Sequence, residues 1–404
     1  MTAIDELVAS VLAEVPVIDG HNDLPAVLRS RAGYSVAGLD RVTPGQQTDL
    51  VRLRQGGVGA QFWSAWVPPT LTEPEAVVAT LEQIDAIRRL VDAYPETLVF
   101  ARTAADIRAA WSEGKIASLI GVEGGHSIAE SLGVVRSLAR LGVRYLTLTH
   151  SRNTAWADSA TDEPGVRGLS EDGEAIVAEL GEIGVLADLS HTSNETQLAV
   201  LASARVPVIF SHSSAFAVSR HPRNVTDEAL TALARNGGVV QVTFLAEYLS
   251  EARSAWFAEA VHWLKAQSGR DERPGDGFWK PAPRPSQTSA DAVASQSASA
   301  GLLAKLSEYA EAHPAPPVTI DTVVAHLEHL RDVAGIDHIG IGSDFDGTLS
   351  LPVGLEDVSG YPRLLRALAA RGWSKADLKA LTGLNVLRVI QDAEDAATRP
   401  LFKG

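Results

Sequence analysis

Short apolar runs recur along this chain, and most of them stop abruptly at polar residues. The first is Val15 to Pro25, V-P-V-I-D-G-H-N-D-L-P, whose β-branched Val15, Val17 and Ile18 predict a short buried strand. The same pattern predicts strands at Val58–Trp66, Ile116–Val122, Val143–Thr149, Val185–Leu189, Pro207–Phe210, Gly238–Phe244 and His338–Gly342. Between several of them, apolar positions recur at helical spacing. Val77, Leu81, Ile84, Ile87, Leu90 and Val91 do so within Glu73–Ala93, and Leu132–Leu141 and Asp172–Ile183 read likewise. Strand-like runs separated by mostly helical sequence predict the α/β class. The expected fold is a single (β/α)8 TIM-type barrel with extra helices, spanning residues 1–404 as one domain. The alternative, a doubly wound open sheet, would want a glycine-rich phosphate turn after the first strand, and G-H-N-D-L-P is not one.

One stretch breaks the rhythm. An insertion, 251–333, separates the seventh and eighth predicted strands. It opens with helical sequence at Glu251–Ala266, runs through Gly269–Ser289, rich in Pro, Gly and charge, and closes with two helical stretches. The Gly269–Ser289 piece reads either as a lid beside the site or as a plain surface loop. After Asp346, helices are expected near Tyr361–Ala370 and Ser374–Ala393.

Bulk composition narrows the chemistry. The net charge of −15 argues against nucleic acid or an anionic membrane surface as partner. There is no cysteine, so any metal must rest on histidines and carboxylates. The N-terminal M-T-A-I-D-E-L-V-A-S-V-L-A-E carries acid where a secretory signal carries base, and no apolar run is long enough to span a bilayer. A cytoplasmic protein without a membrane anchor is the expectation.

The polar residues at the strand ends carry the candidate chemistry: His21, Asp23, Glu123, His150, His191, His212 and Asp344. In a strand, residues two apart share a face, so His21 and Asp23 aim together beyond the first strand. An imidazole and a carboxylate so placed make half of a divalent metal site, or else a hydrogen-bonded turn. Asp19 shares that face but lies deeper, which suits support better than ligation. A carboxylate can bridge two cations, and a second one beside an activated water can act as general base, so the set points to metal-assisted hydrolysis.

I-D-G-H-N-D-L-P, G-V-E-G-G-H, T-H-S-R-N-T-A-W-A-D-S, D-L-S-H-T-S, F-S-H-S-S, R-N-V-T-D and G-S-D-F-D-G, in that order from Ile18 to Gly347, resemble the signature blocks of the membrane dipeptidase (renal dipeptidase) family. The resemblance implies a zinc dipeptidase on an amidohydrolase-type barrel, with two Zn2+ per chain and attack by a metal-bridging hydroxide. It implies that His21 and Asp23 bind the first zinc, that Glu123 bridges, and that His191 and His212 bind the second. By the same resemblance His150 contacts the substrate carbonyl oxygen, Arg223 holds the substrate's C-terminal carboxylate, Tyr248 lines the pocket and Asp344 is the acid–base residue. Asp346 is the rival to Asp344 and Arg220 the weaker rival to Arg223; Asn153, Trp156 and Asp158 are expected to order the loop after His150, and Asp158 could also reach the substrate's amino end. A dipeptide, including L-Xaa-D-Xaa, is the implied substrate, and a homodimer is the family-based expectation. Animal members are secreted, disulfide-bonded and lipid-anchored, traits this cysteine-free chain does not suggest. Two other readings stand beside this one: an amidohydrolase-type enzyme for a lactone, a deaminase substrate or an N-acyl amino acid, and a barrel that has lost its chemistry and serves as a binding protein.

Overall fold

The computed structural model describes residues 2–268, 305–348 and 350–401. Nine parallel strands form its sheet: β1 Val17–Asn22, β2 Val58–Trp66, β3 Leu98–Phe100, β4 Ile116–Glu123, β5 Val143–Thr147, β6 Leu186–Asp188, β7 Ile209–Phe210, β8 Val239–Val242 and β9 Ile339–Ile341. They pair in the order β2-β1-β9-β8-β7-β6-β5-β4-β3, and β2 also pairs with β4. That last pairing closes eight strands into the expected barrel. β3 is the extra strand, which the hydropathy pattern does not announce. It pairs with the first half of β4, Leu98 opposite Ile116 to Phe100 opposite Ser118, while β5 takes over the second half from Ile120 onward. Three residues are too few to show a period.

The eight barrel strands are buried almost along their whole length, as parallel strands covered by helices must be, while the extra strand β3 is partly exposed. The barrel interior is not uniformly apolar. Asp19, Gln61, Ser118, Thr147, Asp188, Ser211 and Gln241 are all fully buried at or near the strands, below the polar residues that end them. Most of these groups are hydrogen-bonded, as buried polar groups usually are; among the described residues Ser118 Oγ has no partner. Gln61 donates to the Asp19 carbonyl at 3.3 Å and Gln241 to the Ser211 carbonyl at 3.3 Å.

The helix Ala3–Glu14 starts on a capping box built by Thr2 and Asp5. It buries Val8 and Val11 and docks on the last helices through Asp5–Arg366 at 2.7 Å and Glu14–Lys379 at 3.0 Å. Within the 251–333 insertion, the helix Glu251–Ser268 follows β8, and residues 305–312 are helical. The helix Ile320–Ala334 buries Val323, Val324, Leu327 and Leu330, and so is an ordinary barrel helix leading into β9. The expected loop Gly269–Ser289 lies outside the described residues. No described helix is long and apolar enough to cross a membrane.

Candidate metal centre

Every strand-end residue singled out by the sequence reaches one end of the barrel. β1 carries His21, with Asp23 just beyond it; β4 ends on Glu123; His150, His191, His212 and Asp344 follow β5, β6, β7 and β9. Two of these residues need backbone that side-chain-bearing residues rarely adopt: His191 has φ 69° and Asp344 φ 66°. Held strain of this kind gathers at functional sites, because the surrounding packing must over-determine it.

Glu123 is the centre of the arrangement. Its Oε2 lies 3.4 Å from His21 Nε2, and that nitrogen lies 3.3 Å from Asp23 Oδ2. Its Oε1 lies 2.9 Å from His191 Nε2, 3.4 Å from His212 Nε2 and 3.8 Å from His150 Nε2. One carboxylate therefore divides the cluster, an oxygen to each half. The donor atoms of His21, Glu123 and His212 lie within 4.8 Å of one another, as do those of Glu123, His150 and His191, and of His21, Asp23 and Asp344. His191 Nε2 and His212 Nε2 meet at 2.9 Å. Among the described residues, His21 Nε2 and Asp23 Oδ1 are buried without a hydrogen-bond partner. Converging imidazole nitrogens, an orphaned buried nitrogen and a carboxylate shared between two groups fit divalent cations.

Electrostatics follow from burial. It pulls His191 and His212 well below the ordinary imidazole value, with neighbouring imidazoles and the Arg223 guanidinium adding. It takes His150 down to about 3, with His126 and Arg223 adding. These rings are neutral near pH 7, as ligation or hydrogen-bond donation requires. Burial opposes a charge on His21, but Tyr145, Glu123 and Asp23 outweigh it and raise the ring above the usual range. Burial lifts Asp344 well above the carboxylate range; His21 opposes that shift, while Asp23 and Glu123 reinforce it.

Beside the cluster lies a cationic wall. Arg223 is 2% exposed, yet it makes no ion pair among the described residues. Its guanidinium donates to Ser213 Oγ at 3.4 Å and to the His212 carbonyl at 3.2 Å, and its Nε has no partner. Tyr248 sits under it, 5.3 Å from guanidinium carbon to ring centre, and His221 stacks on Tyr248 at 4.3 Å. A buried guanidinium without a carboxylate is costly unless an anion arrives to pair with it. Arg220 is exposed, with its backbone N–H on Glu251.

Other candidates separate cleanly. Asp346 does not join the cluster, because the strand ends at Ile341 and its alternation does not continue. Asp346 Oδ1 instead accepts from the Gln47 backbone at 2.9 Å. Asp19 accepts from Ser343 and Tyr361 and only underpins the site. Asp158 does not reach toward a substrate amine. Its two oxygens accept the backbone N–H groups of Gly165, Val166 and Gly168, which folds the loop after His150 onto itself. His126 holds the Val67 carbonyl at 3.0 Å.

Two supporting residues escaped the sequence reading. Ser64 Oγ donates to Glu123 Oε2 at 3.3 Å from β2, where it was one small residue in an apolar run. His326, in the helix Ile320–Ala334, is fully buried. Its Nδ1 accepts from Ala215 N–H at 3.0 Å, which leaves Nε2 to donate to the Leu249 carbonyl at 3.1 Å. It thus ties the loop carrying Arg223 to the segment carrying Tyr248. No local motif marks it.

The sequence profile of the family described as "Membrane dipeptidase (Peptidase family M19)" matches residues 6–401. The curated dipeptidase verJ of Clonostachys rogersoniana is 39% identical over 401 residues, covering 96% of this chain and 87% of that protein. Among solved structures, the probable dipeptidase PvdM from Pseudomonas aeruginosa superposes with a TM-score of 0.80 at 23% identity, covering 98% of this chain and 99% of that one. A metallopeptidase from Rhodobacter sphaeroides, solved with a phosphinate mimic of the dipeptide L-Ala-D-Ala, superposes with a TM-score of 0.73 at 23% identity, covering 94% and 99%.

Proposed function

The chain belongs to the membrane dipeptidase family, and on that premise we propose that it is a binuclear zinc enzyme hydrolysing dipeptides, L-Xaa-D-Xaa among them. The observation that carries this reading is the division of Glu123, one oxygen toward His21 and Asp23, the other toward His191 and His212. Those five residues are the proposed ligands, with Glu123 common to both positions. Divalent cations held by these residues would acidify a water toward neutral pH and polarise the substrate carbonyl.

The chain's own groups supply the rest. Arg223 pairs with the substrate's C-terminal carboxylate through its fork of N–H groups, and Tyr248 closes the pocket beside it. Because that clamp lies beside the cluster, only a very short peptide can place both its carboxylate and its scissile bond. His150, neutral at pH 7, donates a hydrogen bond to the carbonyl oxygen as negative charge gathers there. Asp344 takes a proton from the attacking water and returns it to the departing amine. The Rhodobacter relative's phosphinate ligand mimics L-Ala-D-Ala, which motivates the stereochemical part of the proposal. The cytoplasmic, unanchored location and the homodimer are proposals of the same rank, checked by cell fractionation and by sedimentation.

The test is hydrolysis of paired L-Xaa-L-Xaa and L-Xaa-D-Xaa dipeptides, each beside its C-terminal amide, by zinc-loaded and chelated enzyme. Zinc-dependent cleavage of the free acids but not the amides is expected. No cleavage by protein holding two metals per chain would overturn the dipeptidase reading and favour a lactone or N-acyl amino acid.

A further inference from the structure

Below the metal-facing nitrogens, two separate hydroxyl chains hold two of the histidines from behind. On one side, His21 Nδ1 lies 2.9 Å from the Tyr145 hydroxyl, and that hydroxyl lies 3.2 Å from the Gly20 carbonyl. A carbonyl only accepts; with the phenol hydrogen given to Gly20, the phenol oxygen is left to accept and the imidazole donates from Nδ1. On the other side, His212 Nδ1 lies 2.8 Å from Ser211 Oγ, which donates to Asp188 Oδ2 at 2.6 Å. Asp188 also accepts from Thr147 Oγ1 at 2.5 Å and from the backbone N–H groups of Ser190 and Ser211 at 3.0 and 2.8 Å. Every contact made by Asp188 comes from a donor. The Ser211 hydrogen is therefore committed to it, and His212 must donate from Nδ1.

The strands explain why these groups meet. Thr147 and Asp188 end β5 and β6 and stand opposite each other, and Ser211 follows β7 directly. Tyr145 fits because β4 carries Gly121 alongside it; a Cβ there would come within 1.9 Å of the phenol ring. The two chains share no residue. Each ends on a histidine that faces a different oxygen of Glu123.

We infer that Tyr145 and the Ser211–Asp188 pair are positioning residues that fix His21 and His212 as Nδ1–H tautomers, each presenting an Nε2 lone pair to a different one of the two metal positions. The inference rests on the two-cation reading and adds that the two affinities are set independently from behind. Nitrogen-15 spectra of the histidine rings in the metal-free protein, recorded above the pH at which each ring loses its second proton, test the tautomers directly. Proton at Nδ1 in both His21 and His212 is expected, with the His212 signal moving toward a tautomer mixture in Ser211→Ala and the His21 signal doing so in Tyr145→Phe. Zinc competition with a chromophoric chelator tests the consequence. Ser211→Ala should weaken one of two binding steps by roughly 10- to 100-fold and Tyr145→Phe the other, by the usual size of such outer contacts. Ser211→Thr should restore the wild-type step. A neutral ring with its one proton at Nε2 in the metal-free wild type would overturn the inference, and so would two unchanged steps in both variants. A wild type that binds fewer than two zinc ions would instead sink the two-cation reading, and the ring spectra would still decide the tautomers.

Discussion

Asp344 and Arg223 put single-residue chemistry within reach of measurement. Asp344 is 9% exposed and its carboxyl is pushed well above the ordinary range by burial, which suits the proposed proton shuttle. Asp344→Asn keeps the shape and removes the shuttle. It is expected to lower kcat by roughly 100-fold or more while zinc content stays unchanged; turnover near the wild-type rate would remove Asp344 from the mechanism. Arg223→Met takes away the buried charge and its two-pronged pairing. The expectation is a rise in KM for free dipeptides of roughly 10- to 100-fold, corresponding to about 1.5–3 kcal/mol for a charged hydrogen bond. The preference for free acid over amide should shrink with it. A KM rise equal for both substrates would argue that Arg223 shapes the pocket without reading the carboxylate.

At the scale of elements, the proposed clamp rests on a helix outside the metal cluster. His326 joins Ala215, in the loop that leads to Arg223, to Leu249, beside Tyr248. Asn224 adds a second tie, donating to the Tyr248 carbonyl at 2.7 Å. Replacing His326 by Leu leaves a buried N–H and a buried carbonyl unpaired, at about 1–3 kcal/mol each. His326→Leu should lower the melting temperature and raise KM more than it lowers kcat, because the loop it loosens carries the clamp. His326→Gln, which keeps a donor and an acceptor, should recover much of both. If KM and kcat fell into line with loss of folded protein alone, the helix would be scaffolding with no part in substrate placement.

For the whole molecule, stability is expected to depend on pH and on metal. The His326 ring has its pKa lowered from 6.5 to about 4 by burial. Between those values the unfolded chain binds the proton and the folded chain does not, so stability is lost as pH falls from 6.5 toward 4. The full effect of this one group is about 3 kcal/mol. Urea unfolding of wild type and His326→Gln at pH 7 and pH 4.5 should show a smaller drop in the variant; equal drops would mean that other groups dominate. Chelation removes ligands bound only by the folded state, so the melting temperature should fall and return with zinc. The stabilisation is about 4 kcal/mol where free zinc exceeds its Kd a thousandfold.

The sequence by itself determined the barrel and the composition of its upper rim. Strand-length apolar runs ending in His21, Glu123, His150, His191 and Asp344 specify both a buried parallel strand and a polar side chain at its end, because a strand's alternation is local. The seven ordered blocks carried the family with them. What tertiary structure alone decided lies where partners are far apart in the chain. β3 is three residues long and exists because β4 offers it half an edge. Asp344 and Asp346 look equivalent in G-S-D-F-D-G, and the turn of the backbone at φ 66° and 64° sends one into the cluster and the other to Gln47. Asp158, in the block after His150, orders its loop as the sequence suggests, and three backbone N–H groups leave it no part in reaching a substrate amine. Tyr145 and His326 read as ordinary core until the fold sets them against His21 and Ala215. Hydrogen-bond partners separated by 124 and 111 residues leave no period and no spacing in the sequence, because the contact is made by the closure of the barrel.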